Sequence, residues 1–174
     1  MTEILLTTLI IMVVLAITIP TLYGFMIGAP ILFSPKKVIK EVSRVVEFRR
    51  GENFYDLGMG SGRSLIAADK LNLNVTGFEL SPVIYWLAKC NLFFRGVKKA
   101  NLCLRNFYSQ DLSQADIVFC FLTPKAMERL RPKFEKELKI GTRVISYAFR
   151  INGWEEYQIL DSVPPGKIYI YVME

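Results

Sequence analysis

Two carboxylates and three glycines carry the chemistry open to this chain. Asp56-Leu57-Gly58-Met59-Gly60-Ser61-Gly62-Arg63 sets an acid at the end of an apolar run and glycines at alternate positions after it. Glycine removes side chains where the backbone bends sharply, some of it at positive φ, and lets a ligand touch the main chain. Residues 63–70 follow with a helix pattern whose free N–H groups face whatever sits on the turn. A second acid, Glu79, closes the next apolar run, Val75-Thr76-Gly77-Phe78-Glu79. An acid there is where ribose hydroxyls are bound in doubly wound sheets. A lone Gly-x-Gly is also an ordinary structural turn; the acid before it and the acid closing the second strand favour a nucleoside-cofactor site. The spacing departs from the dinucleotide pattern Gly-x-Gly-x-x-Gly. A pyrophosphate has no need of the leading Asp56, whereas a cofactor bearing an ammonium group does.

Other chemistry is excluded by composition. The chain of 174 residues has no histidine. That removes His-based triads, His-containing zinc sites and an imidazole general base, and no metal site is expected. Cys90, Cys103 and Cys120 lie far apart in apolar runs, without a Cys-x-x-Cys pair. They read as reduced core residues in a reducing compartment.

The elements that must hold these groups alternate between strand and helix. Strands are expected over residues 53–57, 74–79, 100–106, 115–122 and 142–149, with two more at 157–160 and 167–172 joined by Val163-Pro164-Pro165-Gly166. Helices are expected from the glycine turn to about residue 71, from 83 to about 95, and over 125–138. In the second of these, Trp86, Leu87, Cys90 and Phe94 share a face and read as core. In the third, Met127, Leu130, Phe134 and Leu138 do. Gly96 is placed to end the 83–95 helix. An earlier helix opens at Ser34-Pro35 and runs to about residue 48, with Val38, Ile39, Val42, Val45 and Val46 on one face. The fold class is α/β, with a continuous apolar fourth strand that suits a sheet covered on both faces.

The hydrophobic fraction of 52% is concentrated at the N-terminus. Residues 4–33 contain no charge, and such a run is long enough to cross a bilayer. A cleaved signal peptide would want a basic start and a small-x-small site, and neither is present. Residues 1–33 are therefore expected to be a membrane anchor, kinking near Pro20 or ending near Gly28. Residues 34–174 form the remaining domain, with 30–35 as a short hinge. Of the net charge of +6, much lies at Lys36, Lys37, Lys40 and Arg44, just after the apolar run. That asymmetry keeps the following domain in the cytoplasm or an organellar equivalent. It also attracts anionic headgroups. No basic surface interleaved with aromatics is apparent, so no nucleic-acid partner is expected.

Asp56 to Arg63 resembles motif I of the class I S-adenosylmethionine-dependent methyltransferases. The resemblance extends over about residues 34–172 and implies a Rossmann-like, mostly parallel sheet whose last strand is antiparallel. It implies S-adenosyl-L-methionine as methyl donor, with Asp56 near its methionine end, Gly58, Gly60 and Gly62 in the turn, and Glu79 on the ribose. Asn106 would then bond the adenine amino group and Phe107 pack on the ring; without that framework, Asn106 is equally a strand-ending turn residue. Gly77-x-Glu79-Leu80-x-Pro82 and Pro124-x-Ala126-Met127-Glu128-x-Leu130, with the apolar N-terminus, narrow the likeness. They resemble the small membrane-associated lysine methyltransferases of mitochondria, which modify the ATP synthase c-subunit and the adenine nucleotide translocase, and their prokaryotic relatives. Ser61 stands where relatives often carry Asp.

Methyl transfer from a sulfonium is an in-line displacement governed by positioning and needs no obligatory acid or base. A lysine acceptor must first lose its proton, which an apolar aromatic channel promotes by desolvation. Thr123 and Tyr147 are the candidate groups positioning that acceptor, with Pro124 and Phe149 as lining; the plainer reading of each is a strand-ending or core residue. A protein lysine at the membrane is the leading acceptor. A lipid or other small molecule is a second, and an inactive cofactor-binding subunit of a membrane complex a third.

Overall fold

The computed structural model describes residues 1–26, 37–161 and 166–174. Its centre is a seven-stranded sheet in the order β3-β2-β1-β4-β5-β7-β6. The strands are β1 (Asn53–Leu57), β2 (Asn74–Glu79), β3 (Asn101–Leu104), β4 (Ile117–Cys120), β5 (Arg143–Tyr147), β6 (Gln158–Leu160) and β7 (Ile168–Val172). The first five are parallel; β7 runs antiparallel to β5, and β6 antiparallel to β7. This is the expected mostly parallel sheet with an antiparallel last strand: β7 alone is reversed, and β6 runs in the same direction as the first five. The chain order turns around between β1 and β4, and ligands of open α/β sheets bind outside the strand ends at such a point.

Alternation along each strand divides the core into two faces. Phe54, Ile117, Phe119, Ile145, Ile168 and Ile170 point to one. Leu57, Val118, Cys120, Val144, Tyr169 and Tyr171 point to the other. The first face is covered by α2 (Val38–Val42), α3 (Arg63–Asp69) and α4 (Pro82–Phe94). The second is covered by α5 (Pro124–Glu137) through Met127, Leu130 and Phe134, with Leu138 partly buried beside them. Burial on both faces explains why β4 reads as an unbroken apolar run.

Two helices differ from expectation. The described part of the helix expected over residues 34–48 spans only Val38–Val42, and its expected start at Ser34-Pro35 lies outside the described residues. Beyond Val42 the backbone tightens: Arg44 donates to Glu41 and Val45 to Val42, while the Ser43 hydroxyl donates to the Lys40 carbonyl. β-branched residues and a serine that bonds backward offer little to hold a longer helix. Val46 is buried and Val45 is exposed.

The larger correction concerns α4. Trp86, Leu87 and Phe94 are 56%, 47% and 81% exposed, and Cys90 is exposed too. The buried face is Ile84, Ala88 and Leu92. This helix is apolar nearly all round, so periodicity alone does not choose a face. Close approach to the glycine turn chooses it. A Cβ on Gly62 would run into Leu92 Cδ1 and lie 3.6 Å from Ala88 Cβ. Of the three free cysteines, only Cys120 is a core residue; Cys103 is half-buried.

The N-terminal helix α1 spans Thr2–Met26 and continues through Pro20. The stretch Thr2–Ile19 is apolar enough to cross a membrane, and none of it is buried in the protein. Thr7, Thr8 and Thr18 turn their hydroxyls back onto carbonyls four residues earlier, leaving few polar groups exposed on its surface. Gly28, the hinge at 30–35 and most of the turn at 163–166 lie outside the described residues.

Candidate active site

The site begins at the end of β1. Asp56 pairs across the sheet with Gly77 of β2 and Phe119 of β4, and only 2% of it is exposed. Gly58, Gly60 and Gly62 follow with φ of +85°, +52° and +74°. All three occupy the left-handed region where a Cβ is strained. The turn is tied to β2 at its base, since Gly58 and Met59 both donate to the Phe78 carbonyl, at 3.0 and 2.9 Å. Gly77 keeps that base close: a Cβ there would lie 2.5 Å from Met59 Sδ. From outside, Asn91 of α4 donates its amide to the Ser61 carbonyl at 2.7 Å.

Glu79 ends β2 and folds its carboxylate over three main-chain donors. Oε1 accepts from Leu80 and Ser81 at 2.8 and 2.9 Å, and Oε2 from Gly60 at 3.2 Å. Burial raises the Glu79 carboxyl above its ordinary value, and those three N–H groups oppose the rise. For Asp56, burial is the largest influence and pushes it up to about 7; Ser64 lowers it by a hydrogen bond and the Glu79 charge raises it. The Ser64 hydroxyl donates to Asp56 Oδ2. A buried acid and a half-buried one, with no basic partner among these contacts, form a crevice poised for a cation.

Around the crevice, the remaining expected residues fall at neighbouring strand ends. Asn106 lies beyond β3, and its Oδ1 accepts from Tyr108 N at 3.0 Å, capping a short 3-10 turn over Phe107–Ser109. Phe107 is buried with Phe78 and Leu112 in the α5-side core. Thr123 follows β4 and caps α5, accepting from Ala126 N, with Pro124 as the first helical residue. Tyr147 closes β5. Its ring meets Phe121 edge-on at 4.8 Å and its hydroxyl accepts from Gly166 N at 3.2 Å. Phe149 is half-buried, and its carbonyl accepts from Ser146. Asp56, the glycines and Glu79 thus form one joined unit, while Thr123 and Tyr147 are engaged in capping and packing at the ends of β4 and β5.

Three participants escaped sequence reasoning. Ser64 carries a signal, being a polar residue on the buried face of α3 beside Leu65 and Ala68. Asn91 carries one too, as a lone amide in an apolar helix. Ala148 carries none. It sits at φ +72° directly after Tyr147, bonded to the Lys167 carbonyl at 2.8 Å. Backbone held in that region by a residue with a Cβ is a form of strain that collects at functional sites.

Residues 56–158 match the ANTKMT methyltransferase domain. The chain belongs to this family. A protein-lysine N-methyltransferase of Saccharolobus islandicus (strain REY15A) is 35% identical, over 83% of this chain and 93% of that one. The human lysine N-methyltransferase of the ATP synthase c-subunit is 32% identical over 72% of this chain and 54% of its own length. This chain therefore spans about half the length of that human relative. Among solved structures, the RNA methyltransferase from Salinibacter ruber, in complex with S-adenosyl-L-homocysteine, superimposes with a TM-score of 0.76 at 26% identity, covering 82% of this chain and 94% of that chain. The protein is a methyltransferase, with the sheet and glycine turn of the S-adenosylmethionine-dependent enzymes. Among the described residues, no group of three or more acids, cysteines or histidines is gathered as metal ligands.

Proposed function

We propose that this protein methylates a lysine amine on a protein held in, or close to, a membrane. The 35% identity to a protein-lysine N-methyltransferase across 93% of that relative carries the reading. The donor S-adenosylmethionine supplies an electrophilic methyl on a sulfonium. The residues here fit it: the buried Asp56 calls for a cation such as its ammonium, the turn at Gly58, Gly60 and Gly62 admits close main-chain contact, and Glu79 offers oxygens to hydroxyls. To receive the ribose, Glu79 gives up one of its three backbone bonds and keeps its place at the end of β2. Asn106 and Phe107 belong beside the base.

Acceptor chemistry falls to the neighbouring strand ends. The lysine loses its proton to water, its nitrogen forms the new N–C bond, and the S–C bond breaks in line. Tyr147 and Thr123 are assigned as groups positioning the amine, with Pro124 and Phe149 as walls. Burial around Tyr147 favours the neutral amine over the ammonium. Residues 1–33 serve as a single-pass anchor and 34–174 as the catalytic domain, which the basic residues after the anchor hold on the cytoplasmic or equivalent side.

Isotope-labelled methyl from S-adenosylmethionine, incubated with the full chain and membrane fractions, tests this reading. Label is expected on lysine in a membrane-associated protein and is lost with Asp56→Asn. Label in lipid would transfer the assignment to a small-molecule acceptor. Cofactor binding without any transfer would leave an inactive subunit.

A further inference from the structure

A cleft of about 840 Å³ opens beside α3 and α4, and neither Asp56 nor Glu79 is among its described lining residues. Its interior is aliphatic and aromatic, including Ile66, Leu71, Leu87 and Phe94. Lys40, Arg63, Lys70 and Arg95 stand along it, and no acid is among its described lining residues. A solvated groove in a soluble domain has little reason to combine this much apolar surface with cations of a single sign. Beyond the cleft the surface continues over Trp86 and Phe93, which are 56% and 76% exposed. The apolar helix α1 meets α4 in the fold.

We propose that this cleft seats an anionic phospholipid of the bilayer, its phosphate among Lys40, Lys70 and Arg95 and an acyl chain against Leu87 and Phe94. An anionic head joined to an aliphatic tail matches both halves of the surface, and a membrane supplies such molecules at the level where α1 enters it. Nucleic acid matches only the charge, because the aliphatic interior offers nothing to base edges. The arrangement has a consequence for the reaction. Ser61, within the glycine turn, lines the same cleft, so a lipid seated there holds the cofactor crevice against the bilayer surface. This inference rests on the membrane reading above and extends it from an anchor to a docked orientation.

Cys90 lines the cleft and is exposed, whereas Cys120 is buried; it therefore reports occupancy without any methyl transfer. The full chain is reconstituted into vesicles of phosphatidylcholine alone or mixed with phosphatidylglycerol, and Cys90 is reacted with a water-soluble maleimide. Cys90→Ser supplies the background from Cys103. Labelling is expected to slow about tenfold on the anionic vesicles; replacing Lys40, Lys70 and Arg95 by glutamine weakens the affinity for the anionic lipid by roughly fivefold per charge, so the triple variant is expected to label at the same rate on both vesicles. Brominated phosphatidylglycerol is expected to quench Trp86, read as the difference from Trp86→Phe, which keeps the test independent of how the charge variants fold. Equal labelling on both vesicles, with the chain firmly retained in them, overturns the lipid seat and leaves the anchor standing. Protection that follows protein density rather than lipid charge overturns it in favour of a second copy of the chain. A chain that stays in the aqueous phase overturns anchor and seat together.

Discussion

At the scale of single residues, the buried carboxyl of Asp56 is the most informative group. Held up to about 7 by burial, it is half protonated near neutrality, and a cationic ligand binds only its ionised form. Affinity for S-adenosylmethionine is therefore expected to weaken as pH falls through that value, by about tenfold per unit until the bound form protonates. Calorimetric titration across pH checks this. Ser64→Ala removes the bond that lowers the carboxyl, so the midpoint is expected to move to higher pH. The same group sets a stability trend. The folded value lies above the ordinary 3.8, so the native state binds more protons between the two. The stabilising contribution is full below the lower value and gone above about 7. Thermal melts of the ligand-free protein are expected to show that component in the wild type and to lose it in Asp56→Asn. For the acceptor side, Tyr147→Phe keeps the ring against Phe121 and removes the hydroxyl. Its expected signature is a fall in kcat of about tenfold or more, with the cofactor Kd unchanged. A change in both together would make Tyr147 a structural residue only.

At the scale of elements, α4 decides how the glycine turn is held. Its buried face meets the turn at Gly62, and Asn91 fastens the Ser61 carbonyl from the same helix. Leu92→Ala opens a cavity and is expected to cost about 2–5 kcal/mol. Phe94→Ala, on the outer face, is expected to stay within about 0.5 kcal/mol. Urea unfolding of the two variants distinguishes the faces directly; equal losses would contradict the packing described. Gly62→Ala strains a backbone at φ +74° and drives a methyl into Leu92, so a loss of at least about 2 kcal/mol is expected in the same measurement. Sequence periodicity locates this helix to within a residue at either end, yet assigns the wrong face. Trp86, Leu87, Cys90 and Phe94 are as apolar as Ile84, Ala88 and Leu92. Neither hydrophobicity nor size separates them, since Leu87 and Leu92 are the same residue; the docking of α4 onto the glycine turn does, by setting Ala88 and Leu92 against Gly62. The helix expected over residues 34–48 departs from its pattern for a different reason. Its apolar spacing is helical, but β-branched residues and Ser43 let the chain leave the helix after Val42.

At the scale of the whole molecule, the sheet order brings the ends of β1, β2 and β4 to one crevice, and a ligand bound there links three strands. Saturation with S-adenosylmethionine at a hundredfold excess over Kd is expected to stabilise the fold by about 2.7 kcal/mol. Glu79→Ala is expected to lose that increment, read as the absence of a Tm rise. What the sequence determined by itself is the unit of two acids and three glycines and the strands that carry it. Asp56, the three glycines and Glu79 are local features, each tied to the end of an apolar run, and a strand buried on both faces announces itself by composition. The cationic tract and the apolar N-terminus are legible for the same reason. Only the tertiary structure decided which face of α4 turns outward, where Thr123 and Tyr147 make their bonds, and that Ala148 bends at positive φ. Those depend on contacts between residues far apart in the chain, and no local pattern encodes which of several equally apolar side chains finds room against a glycine.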